Sequence, residues 1–119
     1  MHILMTADTV GGVWTYTREL VSGLIDRGHR VTLISLGKFP NAGQVRWMQN
    51  LPRLDFRPTD FRLEWMQDSE RDIETSTEYL RGLVTELQPD VLHLNQYCYG
   101  ALTCEVPRVV VAHSVVVRW

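Results

Sequence analysis

The sequence contains few cysteines and a single lysine. Cys98 and Cys104 are the two cysteines among 119 residues, and their spacing fits no zinc-binding motif. Two cysteines are also too few for a disulfide-rich scaffold, so we expect each to be a small buried hydrophobic side chain in a reduced protein. Lys38 is the one lysine among twelve basic residues, and the arginines are scattered along the chain.

A strong excess of either charge is also missing. The formal net charge is −2 at pH 7, which argues against the basic surface that binds nucleic acid or anionic membranes. The apolar start, Met1–Met5, turns polar at Thr6 and is too short for a secretion signal or a membrane span. The apolar run near the other end is interrupted by His113 and Ser114. These features predict a cytoplasmic protein without a nucleic-acid partner.

Two nucleotide-binding motifs are absent. There is no GxGxxG pattern, and the second predicted strand ends in Ser35-Leu36-Gly37 rather than in an acidic residue that would bind a ribose. This argues against a classical NAD enzyme. The Walker A pattern is absent as well, and we expect no cofactor and no metal ion.

What remains is an alternation of strand-like and helix-like segments, in a length that fits one domain. Apolar residues recur at helical spacing in two stretches, the first ended by Gly28 and the second by Pro89. Residues from about 37 to 53 are rich in Gly and Pro and are expected to form a long loop. Short apolar runs predict five strands, at Ile3–Met5, Val31–Ile34, Leu54–Arg57, Val91–Leu94 and Arg108–Ala112.

This alternation predicts an α/β fold with three layers, in which helices cover both faces of a parallel sheet. Right-handed crossovers favour the strand order 3-2-1-4-5 for a five-stranded Rossmann-like domain. In that order the chain reverses direction across the sheet between strands 1 and 4. A ligand crevice is expected there, at the carboxyl ends of the strands.

The first loop of the predicted crevice contains Gly11-Gly12, directly before a helix. Glycines allow backbone N–H groups to approach an anion closely, and the helix N-terminus adds partial positive charge. A phosphate group of a nucleotide or sugar would suit this position. A tight turn that only connects strand to helix is the alternative.

The fourth strand leads into a polar segment. His93 and Asn95 are expected to point to one side of the sheet and Leu94 to the other. The amides of Asn95 and Gln96 are suited to sugar hydroxyls. The alternatives are a core histidine with a hydrogen-bond partner for His93 and turn-forming roles for the two amides.

His113 closes the all-apolar fifth strand and is the best single functional candidate. A histidine after such a strand costs free energy unless it has a partner, and its position places it at the crevice. The alternative is a polar pair at a helix start, with Ser114 as the cap. No third residue completes a nucleophilic triad, and Ser114 lies in no GxSxG elbow.

Taken in order, these segments resemble the N-terminal domain of family 4 retaining glycosyltransferases of the GT-B class. Gly28–Ile34 is close to the family's GHeVtli stretch, and Gln88–Leu94 is close to its PDvvH stretch. The resemblance covers nearly the whole chain. The other matching segments are Ile3–Met5, Gly11-Gly12, the predicted helix Thr15–Arg27 and Val110–Ser114.

The resemblance implies a glycosyltransferase that moves a sugar from a nucleotide-sugar to a sugar or lipid-like acceptor. It implies that Gly11 and Gly12 approach the diphosphate of the donor. It also implies that His113 contacts the transferred sugar near the reaction centre and that the loop after His93 faces the acceptor. The family often has His or Asp near the position of Asn95, so the acceptor side differs here.

The resemblance further implies that the 119 residues are the first part of the N-terminal domain and lack the second, donor-binding domain. We therefore expect an acceptor-side half that is inactive alone, with a possible partner chain supplying the missing domain. A valine-rich fifth strand at the edge of the sheet predicts self-association. The alternative is a stand-alone Rossmann-like module that binds a nucleotide or phosphate without catalysis.

Overall fold

The computed structural model describes residues 1–99 and 102–111. Strands and helices alternate along this part of the chain, as the sequence predicts. The strands are β1 (His2–Asp8), β2 (Arg30–Leu36), β3 (Leu54–Pro58), β4 (Val91–Leu94) and β5 (Arg108–Val110), and the helices are α1 (Gly12–Asp26), α2 (Ala42–Val45) and α3 (Glu70–Leu87), with 3₁₀ turns at Arg46–Met48 and Tyr97–Tyr99.

The five strands form one parallel sheet in the order β3-β2-β1-β4-β5. This confirms the predicted fold class and strand order. In the register of the sheet, Met5 of β1 lies between Leu33 of β2 and His93 of β4. β1 therefore lies between β2 and β4, and the chain crosses from β3 through α3 to β4, which puts the switch point at the carboxyl ends of β1 and β4.

Each face of the sheet has its own hydrophobic core, because side chains of a strand alternate between faces. On one face, Met5 and Leu33 pack with the α1 residues Val21 and Ile25. On the other face, Leu4 and Leu92 belong to the core covered by α3. That second core also contains Ile34, Leu36, Leu63, Leu80, Leu83, Val84, Leu94, Tyr99 and Leu102.

Both long helices end in left-handed backbone. Gly28 has a φ of 91°, and the His29 N–H donates to Leu24 O, which satisfies a carbonyl of the last turn of α1. After α3, Gln88 adopts φ 48° directly before Pro89. Both helix ends fall where the sequence predicts them.

The region from about 37 to 53 is not the unstructured loop expected from its sequence, because it contains α2 and a 3₁₀ turn. Asn41 caps α2 reciprocally: its side chain accepts from the Gln44 N–H, and the Gln44 side chain accepts from the Asn41 N–H. Trp47 then packs edge-on against Trp14 of α1, with ring centroids 6.0 Å apart. The capping pair is visible in the sequence, but the surrounding glycines and prolines favoured the prediction of a loop.

The expectations for the C-terminal segment and for the cysteines are met in part. Strand β5 is described from Arg108 to Val110, and Ala112 of the predicted strand lies outside the described residues. Cys98 and Cys104 are free thiols that are half-buried rather than fully buried. Both pack against the core on the α3 face.

Candidate active site at the carboxyl edge of the sheet

The carboxyl ends of β1 and β4 are joined by side chains rather than separated by an open gap. The Thr6 hydroxyl donates to Gln96 Oε1 over 2.5 Å, and Asn95 Nδ2 donates to Thr6 O over 2.7 Å. The Asn95 N–H also donates to Thr6 Oγ1 at 3.3 Å. All three residues are buried. The two amides predicted to face an acceptor thus form the floor of the crevice and fix the two strands to each other.

Gly11 and Gly12 lie on the exposed side of the same edge. Gly11 precedes α1 with a φ of 84°, and Gly12 is the first residue of the helix. A Cβ built on either residue would meet no atom within 4 Å, so open space adjoins the helix start. The first turn of α1 contains no acidic side chain. The partial positive charge of the helix N-terminus therefore faces this space, and no residue of the first turn opposes it.

Asp8 at the end of β1 is a site residue that the sequence reasoning missed. Its carboxylate Oδ1 accepts a hydrogen bond from the Val10 N–H over 2.7 Å, and the Trp65 side chain hydrogen-bonds to the same carboxylate. Burial raises the pKa of Asp8, and the two hydrogen bonds oppose that shift. An acidic residue that closes a buried strand directly before two glycines is a signal that the sequence does carry.

The loop between β1 and α1 is fixed by the segment that follows β2. The Thr9 hydroxyl donates to Lys38 O over 2.8 Å, and Gln44 Nε2 donates to Thr9 O over 2.9 Å. The indole N–H of Trp14 donates to Gln44 O over 2.9 Å. This chain of contacts holds the backbone of the glycine loop in place before any ligand arrives.

His93 lies on the α1 face of the sheet, opposite to the face of Leu92 and Leu94. Its ring stacks on Tyr16 of α1, with centroids 6.5 Å apart and an interplanar angle of 28°. The predicted alternation of side chains along β4 is therefore correct for these positions. His113, the predicted catalytic residue, lies outside the described residues, as does Ser114.

The sequence of this chain was matched by one family of enzymes. Residues 10–119 match the sequence model of Glycosyltransferase Family 4. The chain belongs to this family. The matched range includes both crevice glycines and every element from α1 to β5. No curated protein matches the sequence significantly.

Two solved glycosyltransferase structures share the fold of this family 4 chain. A UGT transferase from Siraitia grosvenorii, in complex with UDP, is 18% identical, with a TM-score of 0.64 over 92% of this chain and 27% of that one. A glycosyltransferase from Rickettsia africae ESF-5 is 16% identical, with a TM-score of 0.61 over 92% of this chain and 28% of that one. The family 4 chain thus spans about a quarter of the length of either structure.

Elsewhere in the described residues of the family 4 chain, the features are less suited to bind a ligand. Within residues 1–99 and 102–111, no group of three or more His, Cys, Asp or Glu side chains is placed to hold a metal ion. A groove of about 750 Å³ lies between the end of α1 and Arg53. It is at the amino edge of the sheet, whereas ligands of open parallel sheets bind at the carboxyl edge.

In the part of the chain that the structure describes, no helix is both long and apolar enough to cross a membrane.

Proposed function

We propose that this family 4 chain is the acceptor-side half of a glycosyltransferase, which moves a sugar from a nucleotide-sugar to an acceptor. The observation that carries the proposal is the start of α1 at the switch point. There, Gly11 and Gly12 leave open space beside a helix N-terminus whose first turn contains no acidic side chain. A diphosphate is the group of a nucleotide-sugar that such a position favours.

The roles of the other residues follow from the family resemblance and the crevice. Gly11 and Gly12 approach the donor diphosphate, and His113 contacts the transferred sugar near the reaction centre. The acceptor lies beside the segment after β4, above the floor that Asn95 and Gln96 build with Thr6. No metal ion takes part in this proposal.

We also propose that the 119 residues do not transfer sugar by themselves. Stabilisation of charge on the leaving diphosphate is commonly the largest catalytic contribution. In our proposal a second domain, from the same or another chain, supplies the groups for it. A purified sample of the 119 residues should give no sugar transfer and no hydrolysis of UDP-glucose. Turnover above that of a buffer blank would contradict this part.

The edge strand β5 supports a further proposal, that two copies of the chain associate through it. Val109 in the middle of β5 is 50% exposed. The other edge strand, β3, ends in Pro58 and carries an Arg57–Asp55 ion pair at 3.0 Å, and both features discourage strand pairing. The β5 edge follows Pro107 and begins with Arg108, but Val109 and Val110 are apolar, and two such valine pairs are complementary to each other.

Binding of UDP by the ¹⁵N-labelled chain tests the main proposal, using two-dimensional NMR. We expect saturable shifts of the backbone amide signals of Gly12 and Val13. Gly12→Asp should weaken binding at least about tenfold, or about 1.4 kcal/mol, because a carboxylate at the helix start repels the diphosphate.

Gly23→Asp is the matched control, since Gly23 is an exposed α1 glycine with equally open space for a side chain. It should bind UDP like the wild type. Absence of shifts at Gly12 and Val13, or equal weakening by the two variants, would contradict the proposed phosphate site.

A further inference from the structure

Exposed apolar side chains gather at the carboxyl edge of the sheet. Trp65 is 62% exposed and Phe39 is 60% exposed, and Val10 and Tyr16 are exposed to a lesser degree. Val10 lies in the loop after β1, Phe39 follows β2, and Tyr16 stacks on His93 of β4. Apolar side chains left in water around a crevice are typical of a ligand-binding surface.

Trp65 is held in its exposed position from below. An indole has a single donor, its N–H, and the Trp65 side chain interacts through it with the Asp8 carboxylate at the end of β1. The turn itself is closed by a hydrogen bond from the Met66 N–H to Leu63 O at 2.9 Å. Leu63 is buried in the core beneath it.

The turn around Trp65 touches three strand ends. Leu63 and Met66 lie beside Gly37 at the end of β2, where a Cβ would come within 3.4 Å of Met66 and 3.5 Å of Leu63. Glu64 interacts with Cys98, which follows β4. Together with the Asp8 contact at the end of β1, these contacts place Trp65 over the switch point rather than on a remote surface.

Phe39 is attached to the same region. The Thr9 hydroxyl donates to the carbonyl of Lys38, the residue before Phe39, over 2.8 Å. Gly37, one residue earlier, donates its N–H to Phe61 O over 2.8 Å. The backbone on the N-terminal side of Phe39 is thus fixed to the glycine loop and to the segment that leads to Trp65.

We propose that the indole face of Trp65, on the same edge of the sheet as Phe39, is a stacking platform for a pyranose ring of a saccharide acceptor. This inference rests on the proposed function and narrows its acceptor from a sugar or lipid-like molecule to a saccharide. A pyranose presents C–H groups on its ring face and hydroxyls at its rim. The aromatic surface binds the face, and nearby carboxylates and carbonyls accept from the hydroxyls.

The charge around Trp65 argues for a neutral, hydroxyl-rich ligand over a membrane surface. Glu64 precedes it, and Asp60 and Asp68 lie within five residues along the chain, where Arg62 is the one basic residue. Lys38 precedes Phe39 on the same edge. Membrane surfaces carry negative charge and attract basic segments. An acidic turn is repelled by such a surface, whereas acidic side chains commonly accept hydrogen bonds from uncharged hydroxyl groups.

The indole N–H signal of Trp65 in the ¹⁵N-labelled chain reports directly on the platform. The probes are maltotriose, cellotriose and triacetylchitotriose at millimolar concentration. We expect at least one of them to shift this signal saturably. Trp65→Ala should weaken binding of that probe at least about tenfold, measured at the Val10 amide, and Trp65→Phe should restore most of it because an aromatic face returns.

Thr85→Ala is the control, because Thr85 is exposed near the C-terminal end of α3, at the amino edge of the sheet, and it should bind like the wild type. The inference is wrong if none of the three saccharides shifts the Trp65 indole signal, or if Trp65→Ala binds as tightly as the wild type. It is also wrong if UDP or anionic phospholipid vesicles shift that signal and the saccharides do not.

UDP binding at Gly12 and saccharide binding at Trp65 are measured at different signals, so either site can fail without the other. UDP shifts at Gly12 without any saccharide effect at Trp65 would leave the proposed function standing and overturn only the platform. Saccharide binding at Trp65 without UDP shifts would support the platform and contradict the phosphate site.

Discussion

The Thr6 hydroxyl donates to Gln96 Oε1 over 2.5 Å, and the two residues are 90 positions apart in the sequence. Both side chains are buried, so this bond replaces the water that either group would otherwise bind. The bond closes the floor of the crevice between β1 and the segment after β4. The Gln96 amide, which the sequence suggests for sugar hydroxyls, therefore joins β1 to the segment after β4.

Removal of the Thr6 hydroxyl should be costly. Thr6→Val keeps the shape of the side chain but leaves Gln96 Oε1 buried without its donor, and we expect a loss of about 1–3 kcal/mol in the free energy of unfolding. Urea unfolding followed by circular dichroism measures this. Thr75→Val, at an exposed position of α3, should change stability by no more than about 0.5 kcal/mol. Equal effects at both positions would contradict the role given to this bond.

Gly37 should not tolerate a side chain. Its φ is 92°, and a Cβ would lie 3.1 Å from Asp8 Oδ1, so Gly37→Ala should lower the free energy of unfolding by about 1–3 kcal/mol. Gly82→Ala is the matched control, because Gly82 lies within α3 with open space around it. There the same change should raise stability by about 0.5–1 kcal/mol. Thermal unfolding of both variants measures these changes. A Gly37→Ala protein as stable as the wild type would contradict the close packing of Gly37 against Asp8.

These two sites illustrate what can be learned from the sequence. The strand order followed from alternating apolar segments and from the handedness of crossovers, both of which are local or general properties. The contact of Gly37 with Asp8 and the contact of Asp8 with Trp65 join distant segments. Such contacts depend on how the turn before α3 packs on the strand ends, and no sequence period encodes that packing.

For the polar residues at the strand ends, the position in the sheet was predictable from the sequence, but the hydrogen-bond partners were not. Asn95 and Gln96 stand out because they follow an apolar strand in a parallel sheet, which places them at the carboxyl edge. Their hydrogen bonds to Thr6 could not be foreseen, since the predicted first strand ends at Met5, whereas β1 continues through Thr6 to Asp8. Helix α2 was missed because its capping pair, Asn41 and Gln44, is surrounded by residues typical of loops.

The ionisation of Asp8 should make the protein less stable as the pH rises. Burial raises the pKa of Asp8 in the folded state above its ordinary value of 3.8. The folded state therefore favours the protonated acid. This contribution to stability is present below pH 3.8 and is lost as the pH rises through the folded-state pKa.

Asp8→Asn cannot ionise, so its stability relative to the wild type should improve as the pH is raised from below 3.8 to neutrality. The measurement is the difference between the unfolding free energies of the two proteins across this range, in which other titrating groups cancel. A difference that stays constant with pH, or that changes in the opposite direction, would contradict the burial of an unfavourable charge at Asp8.

The β5 edge should determine the oligomeric state. Val109→Lys places a charge on the exposed edge, which opposes strand pairing between two copies. We expect the wild type to show a concentration-dependent dimer in sedimentation velocity and this variant to stay monomeric. Thr75→Lys adds the same charge on α3 and should leave the dimer unchanged. A wild-type monomer at all concentrations would exclude association through this edge.

The central claim is that the carboxyl edge of the sheet, at the start of α1, binds the diphosphate of the donor. A crystal structure of the chain with UDP tests it most directly. We predict density for the diphosphate within hydrogen-bond distance of the backbone N–H groups of Gly12 and Val13. A diphosphate bound instead in the groove beside Arg53 at the amino edge, or crystals grown with saturating UDP that contain none, would contradict the claim.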